Sequence, residues 1–107
     1  MEAPKDKDRM SNAQECETVK ELIRLANTKN ISVKFKPLKY NDGRLKGNQI
    51  LIREGMDEDH TIWILAHEIA HWFLHYDKGN TMTSPLHDEY EEQADRGAKM
   101  LLWALSQ

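Results

Sequence analysis

An α+β domain is predicted from three features of this chain. Apolar residues recur with a helical period near both ends. They alternate with period two between residues 31 and 53. A long apolar helix between the sheet region and the last helix carries His67-Glu68-Ile69-Ala70-His71. Helix, strands, helix, helix is the order of a small, mainly antiparallel sheet packed on one central helix, with N- and C-terminal helices beside it.

Residues 1–12 mix both charge signs and offer almost nothing to bury, so they read as a disordered leader to a domain at 13–107. A helix follows from about Ala13 to Asn27, with Val19, Leu22, Ile23 and Ala26 on one stripe. Asn12 is its expected cap, with Glu15 three residues on. Ile31, Val33 and Phe35 then alternate with Ser32, Lys34 and Lys36 in a half-buried strand that Pro37 ends. Asn41-Asp42-Gly43 is a turn signal, Leu45 sits in a short run before Gly47-Asn48, and Gln49-Ile50-Leu51-Ile52-Arg53 is another strand. Gly55 breaks the sheet. Asp57, Glu58 and Asp59 precede the central helix at 58–76, where acidic side chains suit the positive end of the helix dipole. Residues 77–85 read as a loop, and 86–105 as the last helix.

The chain has 107 residues and a net charge of −3, enough for one core and the wrong sign for general nucleic-acid binding. Cys16 is the single cysteine, so there is no disulfide framework or cysteine metal cluster; it reads as a small apolar residue on the first helix. No apolar run approaches a membrane span and no secretion signal is visible. A soluble, cytoplasmic protein is expected.

The sharpest signal is the H-E-x-x-H at 67–71. Positions i and i+4 share one helix face, so His67 and His71 can grip one cation. Glu68 stands beside the first histidine, placed to take a proton from a metal-bound water. The plain alternative is a pair of core histidines satisfied by ordinary hydrogen bonds, but two imidazoles and a carboxylate in an apolar helix call for stronger partners.

A catalytic zinc site usually takes three protein ligands. Ala94, Ala98, Leu101, Leu102 and Leu105 define the inner side of the last helix. At about 100° per residue, Glu91 falls roughly 40° from the centre of that stripe and Glu92 roughly 140° away. Glu91 is therefore the expected third ligand, with Glu92 in solvent beside Arg96 and Lys99. His75 continues the face of His71, but three ligands from one straight helix would span about 12 Å. It reads instead as a helix-end residue bonded to a carbonyl or carboxylate. His87 and Tyr90 are candidate donors to a developing oxyanion. The tryptophans at 63, 72 and 103 read as core or groove lining.

With these elements in place, the chain resembles the ImmA/IrrE family of small metallopeptidases over most of residues 17–102. The resemblance rests on the strand Asn48-Gln49-Ile50-Leu51-Ile52, on Leu65 to His75 around the motif, and on Glu91-Glu92-Gln93-Ala94-Asp95-Arg96-Gly97-Ala98. It implies a minimal zincin-like domain in which the glutamate at 91 is the third zinc ligand, in agreement with the helix argument. It also implies a protein substrate, such as a helix-turn-helix repressor, since several relatives cleave such repressors of phages, mobile elements or bacteria. Gly97 stands where the family usually has Phe, so a gap is expected there unless Trp103 or another large side chain fills it. The chain ends at Gln107 without a further segment, which suggests a catalytic domain alone.

Two functions follow as expectations. One is a zinc endopeptidase with His67, His71 and Glu91 on the metal, Glu68 as base, and the strand near 48–53 holding substrate by strand addition. Zinc suits two imidazoles and a carboxylate, with manganese or iron as alternatives. The other is a binding module, an antirepressor that sequesters its partner and keeps only a structural zinc.

Overall fold

A computed structural model of the chain describes residues 13–75 and 87–107; the expected leader at 1–12, its Asn12 cap and the loop at 77–85 lie outside the described residues. The first helical stripe becomes α1, Glu17–Asn27, which buries Val19, Leu22 and Ala26. It begins later than the periodicity suggests. Ala13–Glu15 form a separate 3₁₀ turn closed by Cys16 N–H to Ala13 O at 2.9 Å. Cys16 is then extended (φ −65°, ψ 135°) and is the residue before the helix, half-buried, rather than one within it. Asn30 turns left-handed at φ 62° and lets Ile31 N–H return to Ala26 O at 3.1 Å, which ends the helix.

Three strands follow: β1 at Ser32–Lys36, β2 at Gly43–Lys46 and β3 at Gln49–Arg53. Their order across the sheet is β1-β3-β2. β2 and β3 form an antiparallel hairpin, with Gly47 at φ 60° in the first position of its two-residue turn. β1 runs parallel to β3, so the sheet is mixed rather than mainly antiparallel. The reason lies in residues 37–42, which do not fold β1 back on the next strand. They carry the chain to the far side of the sheet, leaving the middle place for β3. The fully buried Ile50 and Ile52 suit a central strand. Both edges of β3 are therefore paired, and the substrate-holding role expected near residues 48–53 cannot fall there.

The core joins Val19, Leu22 and Ala26 of α1 and Ile31 to Ile50 and Ile52 of the sheet, then to Leu65, Ala66 and Ile69 of the central helix. That helix, α2, spans Glu58–His75. Asp57 caps it, its Oδ1 accepting from His60 N–H at 2.7 Å. α3 spans His87–Leu105 and lies across α2 through small residues, with Ala94 and Ala98 fully buried. A Cβ added to Gly97 would stand 3.1 Å from the Ala70 Cβ and 3.4 Å from the Leu74 Cδ1. No gap waits there for a large side chain, contrary to expectation: close helix packing already fills it. Trp103 does not fill it, being 66% exposed, and so is not a core residue. Trp63 and Trp72 do pack against the core, and Trp72 Nε1–H donates to Asn48 Oδ1 at 3.1 Å. Among the described residues no helix is long and apolar enough to cross a membrane.

Candidate metal centre

Two consecutive turns of α2 present His67 and His71 on one face, with ring centroids 4.9 Å apart. The small residues at the α2–α3 crossing bring α3 close enough for Glu91 to reach both. Glu91 Oε1 lies 3.1 Å from His67 Nε2, and Glu91 Oε2 lies 2.7 Å from His71 Nε2. One oxygen per imidazole is the arrangement of a carboxylate clamped between two nitrogens. The three side chains offer two nitrogens and an oxygen within 4.8 Å of one another. This donor set fits a divalent ion that keeps a coordination position open.

The helix phase inferred for α3 is seen in its neighbours. Glu91 turns inward while Glu92 is exposed and pairs with Arg96 at 3.6 Å, one turn on. A further residue completes the surroundings. Asp95 Oδ1 stands 2.8 Å from His67 Nδ1, an ion-pair distance without hydrogen-bond alignment. Asp95 belongs to the acidic cluster from which the third-ligand candidates come, and its position one turn after Glu91 puts it on the same face. That spacing was the available signal: a carboxylate behind a ligating imidazole can orient the ring.

Glu68 sits on the sheet side of the same helix. It faces β2, where a Cβ on Gly43 would lie 3.3 Å from Glu68 Oε2 and collide with Ile64 Cγ2. Only glycine lets the strand pass so near the acid. Burial pushes the Glu68 carboxyl up to about 7; His67 draws it down and Glu91 pushes it further up. His71 is held below its ordinary value, first by burial, with Glu91 opposing. Burial also works to raise Glu91, but the attraction of His71 and His67 prevails and its carboxyl lies below the usual range.

His75 is not drawn into this group. It is buried, and among the described residues neither ring nitrogen has a hydrogen-bond partner, so the expected bond to a carbonyl or carboxylate is not seen there. Its ring instead packs edge-on to His71 at 5.7 Å and against Tyr90 at 4.4 Å. Tyr90 thus faces the far end of α2. His87 is the first residue of α3 and half-buried.

The family profile for the IrrE N-terminal-like domain, peptidase M78, matches residues 16–103. The chain belongs to that metallopeptidase family. No match was found among curated proteins or among solved structures. The matched stretch takes in the H-E-x-x-H helix, Glu91 and Asp95.

Proposed function

We propose that this chain is a zinc-dependent endopeptidase whose metal is held by His67, His71 and Glu91 and whose general base is Glu68. The observation that carries the reading is the convergence of three donor atoms beside a buried carboxyl, beneath the outer edge of β2, which pairs with no further strand among the described residues. Bound there, zinc supplies a Lewis acid that polarises a carbonyl and acidifies a water.

The chain's own residues supply the rest. Glu68 accepts the proton of the attacking water and returns it to the leaving amine. Burial holds the carboxyl near neutral in the metal-free protein, and a neighbouring dication draws it down, so that it is an acceptor at physiological pH. Asp95 stands 2.8 Å behind His67 Nδ1, where a modest turn of the ring would align a hydrogen bond that orients it. The outer edge of β2 takes the place first assigned to β3. Asp42 O accepts from Arg53 N–H at 2.8 Å, and the alternation of an antiparallel ladder then turns the backbone groups of Gly43 and Leu45 outward. An extended peptide added there passes Glu68.

The family membership supports a protein substrate. Following the resemblance, a helix-turn-helix transcriptional repressor of a phage, mobile element or bacterial regulon is the first substrate to try. Glu68→Gln decides the chemistry: the variant should keep its metal and lose cleavage of such a repressor, because an amide cannot accept the proton. Equal cleavage at matched metal content removes Glu68 as the base. Release of repression by the variant at full strength, without cleavage, would favour the sequestering module instead.

A further inference from the structure

Charge is distributed unevenly along the chain. Residues 29–53 hold seven Lys or Arg and a single acid, Asp42, in a protein whose net charge is −3. The sheet register collects these cations on one side. Val33, Ile50 and Leu45 form one row across the inner face, and Phe35, Ile52 and Gly43 another. The outer rows are Lys34, Leu51 and Arg44, then Ser32, Gln49 and Lys46, with Lys36 beside Arg53. Arg53 is occupied, its Nε 3.2 Å from Asp42 Oδ1. Lys34, Lys36, Arg44 and Lys46 are exposed and make no ion pair among the described residues. Among the described residues the one carboxylate of this stretch is Asp42, which is taken up by Arg53 and by His60, 2.7 Å away.

Two of these cations, Arg44 and Lys46, belong to β2, the strand whose outer edge, unpaired among the described residues, passes Glu68. A strand added to that edge projects every second side chain onto the outer face, in cross-strand contact with Arg44 or Lys46. Opposite charges at such positions attract, and like charges repel. We propose that this face selects the substrate: the enzyme binds extended segments carrying acidic residues at alternate positions. The inference rests on β2 as the substrate-holding edge of the proposed peptidase. Continuity with that edge favours a peptide over a nucleic acid, which would need no strand and no cleft.

The test uses the zinc-loaded Glu68→Gln protein and three labelled octapeptides alternating valine with glutamate, glutamine or lysine. Fluorescence polarisation should show the glutamate peptide bound on the order of fivefold or more tightly than the glutamine one at low salt, and the lysine peptide weakest. The gap should close in 0.5 M salt. Arg44→Glu with Lys46→Glu, checked for unchanged unfolding temperature and zinc content, should reverse the order so that the lysine peptide binds best. Equal binding of the three peptides, or no reversal in the double variant, overturns the proposal. So does tighter binding of a 20-base-pair DNA duplex that the same double variant abolishes, which would make the face a nucleic-acid surface. Cleavage profiling of the wild type with the same peptides set in longer linkers separates the two readings. Cleavage without acidic preference defeats the selection and leaves the peptidase standing; acidic preference in binding without any cleavage does the reverse.

Discussion

Glu68→Gln should stabilise the metal-free protein, increasingly as pH rises above about 4.5 and fully above about 7. Burial, with Glu91 adding to it and His67 opposing, raises the Glu68 carboxyl from its ordinary 4.5 to about 7. The folded state thus holds this proton more tightly than the unfolded chain does. The stability it confers is complete below about 4.5 and is lost as pH rises through about 7. Converting the shift gives a cost of about 3 kcal/mol for the ionised carboxylate at pH 8. Glutamine fills nearly the same space and does not ionise.

The two proteins should therefore be alike near pH 4 and diverge as pH rises. For a domain of this size each kcal/mol moves the unfolding temperature by about 4–8 °C, so the variant should unfold about 12–24 °C higher at pH 8. His71 and Glu91 also titrate, but they are common to both proteins and cancel to first order in the difference. Thermal unfolding with a chelator, from pH 4 to 8, measures the effect directly. Zinc should shrink or invert the difference, since a dication favours the carboxylate. A difference that does not vary with pH would refute the reasoning, and so would a variant less stable than wild type at pH 8. Either result would mean that Glu68 is solvated in the folded protein.

Four further outcomes are expected. Glu91→Ala should strip the metal in elemental analysis while Glu92→Ala retains it, because Glu92 faces solvent with Arg96. Asp95→Ala should keep the fold and lose about 10–100-fold in zinc affinity, measured by chelator competition, through release of the His67 ring. His75→Phe should leave zinc content and unfolding temperature close to wild type, because neither ring nitrogen makes a hydrogen bond among the described residues. Gly97→Ala should lower stability in thermal unfolding despite its gain of up to about 1 kcal/mol in helix propensity, and Gly97→Leu should lower it by about 1–3 kcal/mol, because the added atoms meet Ala70.

How much of this was legible in the chain depends on the range of the signal. Helix phase is local, so the inward turn of Glu91 and the outward turn of Glu92 could be read from the stripe of Ala94, Ala98 and Leu101. Strand positions were local as well, and Gln49–Arg53 falls where the alternation and the flanking glycines put it. Which strands pair is not a local property. Residues 37–42 carry turn residues that suit a hairpin equally well, and only the completed sheet shows them crossing to its far side. The error had a functional consequence, since it assigned substrate to a strand with no free edge.

The same distinction explains Gly97. Read along the sequence, glycine in an apolar helix is lost volume and a weakened helix. Read across the helix pair, it is one of several small residues, with Ala70, Ala94 and Ala98, that let α3 approach α2. The reach of Glu91 depends on that approach. Its oxygens meet His67 and His71 at 3.1 and 2.7 Å, and a displacement of α3 by the width of a methyl group would exceed the roughly 0.5 Å within which such a site must be held. A small residue at 97 and a carboxylate at 91 are thus two parts of one requirement. Gly97→Ala should accordingly loosen metal binding as well as lower stability, and Gly97→Leu should do so more severely. Zinc affinity measured by chelator competition separates this from ordinary helix destabilisation. If both variants lose stability but hold zinc at wild-type affinity, the packing of the two helices does not set the ligand geometry.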